Sequence, residues 1–305
     1  MNTSFALLTA AKNEEQYIEG TIRSVLAQDC RPVVWLIMND GSTDRTEEIV
    51  ARYAKAHPFI ELLSVPVGGA RSFGAQYRAI NAAYECVRHR EFGVVGVLDA
   101  DIEYAQRGYT RAIIERLRAN PRLGLAGGYV HERTKGAWKP RVANSPDSVA
   151  GGIQMFRRAC FEQIGGYTPL LHGGEDWLAS IKARMAGWDV QAYPDYPVHH
   201  FRPTSSAGGR ARGLFRLGMM DGSFGSHPLF ELMKCIRRAR ERPFVLGSIV
   251  RLAGYSWWNL SYRAPLLGSD TANFIRREQV RKMWQRASTN LRMFGLSGGP
   301  WSEPK

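Results

Sequence analysis

The sequence predicts an α/β fold with a mixed, mainly parallel sheet flanked by helices, followed by a basic helical extension. Apolar, β-branched runs alternate with helical patterns through the first 200 residues, as in successive strand–loop–helix units. Acidic motifs follow or approach those runs: Asn39-Asp40-Gly41-Ser42-Thr43-Asp44, then Asp99-Ala100-Asp101, then Glu175-Asp176. Charge divides the chain, because residues 1–200 hold 23 Lys+Arg against 22 Asp+Glu whereas residues 201–305 hold 18 against 6, so +12 of the total +13 lies in the last third. The expected division is an α/β domain over 1–205 and a basic, aromatic-rich helical region over 206–305.

Ser4-Phe5-Ala6-Leu7-Leu8 reads as a first strand, and the loop from Thr9 to Glu15 leads into a helix with apolar positions Ile18, Ile22, Val25 and Leu26. A second strand from Val33 to Met38 runs into the Asp40 loop, with Ser42 or Thr43 as N-cap of a helix through Thr46, Ile49, Val50 and Tyr53. Right-handed crossovers bring both loops to one edge of a parallel sheet. Arg71, in the glycine-rich stretch Gly68 to Ala75, precedes a helix through Tyr77, Ile80, Asn81 and Tyr84. Glycines there let backbone approach a ligand, and an arginine suits a diphosphate.

The run Val94 to Leu98 has the continuous apolar character of a strand buried on both faces. Asp99 and Asp101, at i and i+2, share a side while the strand persists, at the edge where open α/β sheets bind ligands. Two hard carboxylates suit Mg2+ or Mn2+ completed by substrate phosphates. Residues 136–148 carry several turn formers and read either as a closing loop or as a static excursion. Gly151 to Phe156 reads as a small-residue loop entering a strand, Arg157 to Ile164 as a helix, and Gly165-Gly166 as its stop. Glu175 and Asp176 open a further helix whose apolar face holds Leu178, Ile181 and Met185. His199 and His200 follow what reads as an edge strand.

Thr9 with Asn13-Glu14, the Asp40 loop, Asp99-Ala100-Asp101 and Gly174-Glu175-Asp176-Trp177 occur in the order and setting found in the inverting family 2 glycosyltransferases, which this chain resembles over about residues 4–200. The resemblance implies the GT-A (Rossmann-like) fold, a nucleoside-diphosphate sugar donor, a divalent cation (Mn2+ or Mg2+) and a catalytic base in the Glu-Asp pair. Carried onto this sequence, Thr9 and Asp40 are expected at the nucleotide base, with Asn13 and Glu14 beside the nucleoside. Ala11 stands where relatives often have an aromatic residue, which removes a stacking partner. Arg71 borders the nucleotide, and Asp99 and Ala100 lie near the ribose or sugar. Asp101 is the stronger metal ligand, joined by His200 in preference to His199. Asp176 is the expected base, and Glu175 is either part of the catalytic pair or a binder of acceptor hydroxyls. Gln279-Val280-Arg281-Lys282-Met283-Trp284 departs from the Q-x-x-R-W motif of processive members, which favours transfer of a single sugar to a glycan or polyprenyl-linked acceptor in exopolysaccharide or cell-envelope synthesis.

In the basic third, Leu229, Leu232, Met233 and Ile236 recur at helical spacing among Lys234, Arg237, Arg238, Arg240 and Arg242, the pattern of an interfacial helix. The apolar stretch after Phe244 is interrupted by Arg251 and Arg263, so it lacks the roughly 20 apolar residues of a spanning helix. An anionic membrane surface is the expected partner; the other reading is a helical cap packing its apolar face on the catalytic domain. Basic and aromatic residues interleave between Arg210 and Arg292, yet no zinc-ligand spacing or ribonucleoprotein motif accompanies them, so no nucleic acid is expected. A sugar-phosphate nucleotidyltransferase is the nearest rival enzyme, since it shares the D-x-D metal site. Cys30, Cys86, Cys160 and Cys235 are scattered, and Met1 to Leu8 lacks a signal pattern, so the expected location is cytoplasmic, peripheral on the inner face of the cell membrane.

Overall fold

The computed structural model describes residues 2–65, 73–134, 136–170, 172–202, 209–239, 244–262 and 265–293. The chain divides into two compact units, Met1–Thr204 and Ser205–Lys305.

In the first unit, β1 (Phe5–Ala11) lies parallel to β2 (Val34–Asp40) on one side and to β4 (Val94–Val97) on the other, and β2 is parallel to β3 (Ile60–Val65). The connections are α1 (Ile18–Leu26), α2 (Thr46–Ala56) and α3 (Phe73–Val87). All three strand-to-helix turns therefore leave at the same sheet edge. β1 is longer than its apolar pattern suggests, since Thr9, Ala10 and Ala11 stay in register with Ile37, Met38 and Asn39. α2 is capped differently from the expected Ser42 or Thr43: Asp44 Oδ1 accepts from the Thr46 backbone N–H at 3.0 Å and from its hydroxyl at 2.5 Å. A carboxylate one or two residues closer to the helix outcompetes the hydroxyls.

The second half of the sheet is antiparallel in part. β5 (Ile102–Tyr104), α4 (Tyr109–Ala119), β6 (Leu123–Thr134), β7 (Ala137–Pro140), β8 (Met155–Arg157), α5 (Arg158–Gln163), α6 (Glu175–Met185) and β9 (Asp189–His200) follow in turn. Among the described residues the strand order is β3-β2-β1-β4-β8-β6-β9-β5, with β7 paired to the end of β6. β8 is antiparallel to both β4 and β6, which splits the parallel array. β9 is an inner strand between β6 and β5, which corrects its reading as an edge. The 136–148 stretch contains a strand, β7, hairpinned on β6, so part of it is sheet rather than loop.

Phe5, Leu7, Trp35, Ile37, Val94, Tyr109, Phe156 and Phe161 are fully buried around this sheet. Each such side chain contributes about 1.5–3 kcal/mol relative to an exposed one. That core fixes the strand ends on which the polar residues stand.

The second unit is helical: α7 (Arg210–Ser223), α8 (Pro228–Arg238), α9 (Phe244–Ser261) and α10 (Gly268–Met293). Pro228 at the first turn and His227 Nδ1, which accepts from the Leu229 N–H at 3.2 Å, start α8. Among the described residues no helix is long and apolar enough to cross a membrane.

Candidate active site

The Asp99-Ala100-Asp101 motif sits in a turn. β4 ends at Val97, and the Ile102 N–H bonds back to Asp99 O at 3.3 Å as β5 begins. The two carboxylates are thus aimed by a turn and not by a continuing strand, which corrects the i, i+2 argument. Gln76 on α3 donates to Asp99 Oδ1 at 2.7 Å. Burial pushes the Asp99 carboxyl up to about 7; the Asp101, Asp176 and Glu14 charges add to the rise and His200 opposes it. Residues from four distant parts of the chain therefore share one electrostatic environment.

Asp101 is buried, with His200 Nε2 3.5 Å and Arg202 Nε 3.7 Å from its Oδ2. His200 Nδ1 lies 3.5 Å from Glu132 Oε1. Burial works to lower the His200 imidazole, but the Asp101 and Glu132 carboxylates outweigh it and raise it to about 9. His199 points elsewhere in function: it stacks on Trp138 with ring centroids 4.1 Å apart, and burial, then His131, holds it below its ordinary value. Arg202 grips Glu14 with both guanidinium nitrogens, Nη1 at 3.0 Å from Oε1, and its guanidinium carbon lies 5.4 Å from the Tyr17 ring centre.

Asp176 approaches through a short turn of 3-10 helix, Gly151–Ile153. The Gly151 N–H donates to Asp176 Oδ2 at 3.0 Å, and Gly152 O accepts from the Asp99 N–H at 3.1 Å. No side chain fits at either glycine: a Cβ on Gly151 would lie 2.2 Å from the Tyr77 hydroxyl oxygen, and one on Gly152 would lie 2.5 Å from Asp99 Oδ2. Behind the turn, the fully buried Gln154 donates to Val149 O at 2.9 Å and to Asp176 O at 3.1 Å, and accepts from the Tyr167 hydroxyl. α6 enters through Gly173 and Gly174, both at positive φ, which puts Asp176 in its first turn at the positive end of the helix dipole.

Several expected residues act as braces. Thr9 is fully buried; its hydroxyl donates to Leu98 O at 2.8 Å and accepts from Trp35 Nε1 at 3.0 Å, so it ties β1 to the end of β4 rather than offering a side-chain contact to a base. Asn13, at φ 56°, accepts from the Thr43 N–H at 2.8 Å and joins the first two loops. Glu14 is buried, and its carboxylate is committed to Arg202. Glu175 is 1% exposed and accepts from the Leu170 N–H at 3.1 Å, so it pins the preceding loop; burial pushes it above the usual carboxylate range. Ala11 and Ala100 are buried beside these loops. Asp40 is partly exposed, with Lys12 Nζ 3.6 Å from its Oδ2. Arg71 lies outside the described residues.

The donor chemistry at Asp99, Asp101 and His200 suits a hard or borderline divalent cation, while among the described residues no three acidic, histidine or cysteine side chains are grouped to hold one alone. A cation here would offset the burial and the Asp101 charge that raise Asp99, and phosphate oxygens of a ligand would complete its shell. His200 lies between the Asp101 and Glu132 carboxylates as a counter-charge when protonated.

The glycine turn, the D-x-D turn and the helix-borne acid thus meet on a GT-A sheet, the fold of a class of glycosyltransferases. The family model described as Glycosyl transferase family 2 matches residues 7–174, more than half of the chain, and the chain belongs to that family. Poly-beta-1,6-N-acetyl-D-glucosamine synthase of Staphylococcus epidermidis is 24% identical over 210 residues, 62% of this chain and 48% of that protein. Beta-monoglucosyldiacylglycerol synthase of Synechocystis sp. is 26% identical over 201 residues, 62% of this chain and 38% of that protein. The chain thus spans about half the length, or less, of these relatives. Among solved structures, the mannosyltransferase PcManGT from Pyrobaculum calidifontis, in complex with GDP-Man and Mn2+, superposes with a TM-score of 0.54 at 18% identity, covering 94% of this chain and 80% of that one. TarS 1-349 of S. aureus in complex with UDP-GlcNAc superposes at 0.53 and 14% identity, covering 85% and 73%. These superpositions show the shared fold.

Proposed function

We propose that this chain is an inverting glycosyltransferase that moves one sugar from a nucleoside-diphosphate sugar to a hydroxyl of a glycan or polyprenyl-linked acceptor, in synthesis of an exopolysaccharide or other envelope polymer at the cytoplasmic face of the membrane. The observation that carries this reading is the Gly151–Ile153 turn, which binds the Asp99 backbone with one carbonyl and the Asp176 carboxylate with one amide. It thereby sets a leaving-group side and an attacking side within one rigid element. The relatives named poly-beta-1,6-N-acetyl-D-glucosamine synthase and beta-monoglucosyldiacylglycerol synthase support a polysaccharide or glycolipid product.

Asp176 takes the proton from the acceptor hydroxyl, which attacks the anomeric carbon from the face opposite the diphosphate and inverts its configuration. The Gly151 amide keeps the carboxylate oriented while the other oxygen receives the proton. Asp101 and His200, with Asp99 alongside, would hold the Mn2+ or Mg2+, which when bound offsets the charge growing on the departing phosphates. Arg202 fixes Asp101 from behind, and Glu14 fixes Arg202.

The test is titration with a panel of nucleotide sugars, with and without Mn2+, of wild type, Asp101→Ala and Asp176→Asn. Expected are metal-dependent binding that Asp101→Ala weakens and Asp176→Asn retains, with turnover falling by roughly 10²–10⁴-fold in Asp176→Asn. Pyrophosphate-dependent conversion of the nucleotide sugar to a nucleoside triphosphate and a sugar phosphate, in place of nucleoside-diphosphate release, would move the assignment to a nucleotidyltransferase.

A further inference from the structure

The helical unit Ser205–Lys305 buries an ion cluster beside Phe224, Tyr255 and Trp258 while leaving two apolar helix faces exposed. Arg251 of α9 is 4% exposed; its Nε donates to Glu231 Oε1 at 3.0 Å and its Nη2 to Asp221 Oδ2. Lys234 Nζ donates to Asp221 Oδ1 at 2.8 Å and to Glu231 Oε2 at 3.2 Å. Two acids and two bases from α7, α8 and α9 make a neutral cluster in the interior. On the other side of α8, Leu229, Leu232, Met233 and Ile236, spaced as one helical stripe, are 42% to 65% exposed. On α9, Val245, Leu246, Ile249, Trp257 and Leu260 are 57% to 77% exposed. A helix packed in water turns such faces inward.

The contact between α7 and α9 has the same character. A Cβ on Gly218 would lie 1.9 Å from Arg251 O, one on Gly254 2.1 Å from Phe215 O, and one on Gly222 2.8 Å from the Trp258 Cβ. The two backbones approach closely at glycines, with Gly218 and Gly222 about one turn apart. That is how helices associate where lipid already solvates their apolar surface.

We propose that α8 and α9 form an in-plane docking surface for an anionic phospholipid bilayer, their apolar faces set into the acyl boundary and the surrounding arginines among the headgroups. No described helix crosses a membrane, so the docking is to one leaflet. Charge selects the occupant: the net +12 of residues 201–305 is complementary to an anionic leaflet and repels a second copy of the same face. The inference rests on the membrane-side placement proposed above and is independent of which sugar is moved.

The experiment is flotation of the full chain with phosphatidylcholine vesicles, with and without phosphatidylglycerol, at low and high salt. It compares wild type with Ile236→Asp/Ile249→Asp and, as a milder pair at the same exposed sites, Ile236→Ser/Ile249→Ser. Wild type is expected to float with the phosphatidylglycerol vesicles, partly released by salt, and both variants to partition at least roughly tenfold less while keeping wild-type circular dichroism. Failure of wild type to float, or flotation of both variants at the wild-type level, would overturn the proposal. So would a lipid-free dimer that does not float and that the substitutions split. Nucleotide-sugar binding, measured on the same samples, keeps the outcomes separate: retained binding without flotation rejects the docking surface alone, and flotation without binding rejects the transferase reading alone.

Discussion

At the scale of single residues, Arg202 links the two ends of the catalytic unit. It holds the buried Glu14 and faces Asp101, and none of the three belongs to one contiguous motif. Arg202→Met removes the guanidinium that faces the buried Glu14 carboxylate. The expected loss is about 2 kcal/mol, below the roughly 3–5 kcal/mol of a fully buried pair because Arg202 is 30% exposed. Denaturant midpoints should show it, and the double variant with Glu14→Gln should lose less than the two single losses combined. The positions of Asp40, Asp99 and Asp101 were legible in the sequence because short acidic motifs after apolar runs mark strand ends, and that of Asp176 because paired acids after glycines mark a helix start. Gln76, Glu132, Gln154 and Arg202 were not, since ordinary polar residues gain meaning only from partners tens or hundreds of residues away. Thr9 and Glu175 also brace the fold, Thr9 through Leu98 O and the Trp35 indole and Glu175 through the Leu170 N–H.

At the scale of elements, the Gly151–Ile153 turn is the part most sensitive to added volume. Gly152→Ala puts a methyl group 2.5 Å from Asp99 Oδ2 and 2.6 Å from Ile102 Cδ1. Turnover should fall by roughly 10²-fold or more through misplacement of Asp99, with little change in far-ultraviolet circular dichroism. A fall limited to stability, with turnover per folded molecule unchanged, would reject that role. The Asp221–Glu231–Lys234–Arg251 cluster makes a separate prediction. Burial opposes the Asp221 charge, but Lys234 and Arg251 prevail and hold its carboxyl below the usual range. Its contribution to stability is therefore present above the ordinary aspartate value near 3.8 and is lost as pH falls through the lower folded value. Acid titration should unfold the helical unit in that window, and Arg251→Met, which leaves two buried acids facing one lysine, should move the transition to higher pH. The first parallel strands and their helices were legible from apolar runs and caps. The antiparallel insertion of β8 and the inner position of β9 were not, because pairing partners are chosen by the assembled sheet and not by local pattern.

At the scale of the whole molecule, a sheet-based unit of nearly balanced charge is joined to a helical unit of strongly positive charge. If the acceptor is lipid-linked, turnover with acceptor in anionic vesicles should show a lower apparent KM than with the same acceptor in detergent. Salt should raise that KM while leaving kcat within about twofold, since screening acts on encounter and not on the bond-making step. An equal effect of salt on a water-soluble acceptor would reject this. The basic, amphipathic character of the last third was legible in the sequence. The ion cluster inside it was not, for Arg251 read as an interruption of an apolar run and proved to be the centre of that buried cluster. The outward apolar faces of α8 and α9 also bear on biogenesis. Ribosomes complete the sheet-based unit first, so the adhesive surface emerges on a chain whose larger unit is already able to fold. Overproduction that outruns the available leaflet should therefore yield aggregates of molecules with native sheets, recoverable by mild detergent without refolding.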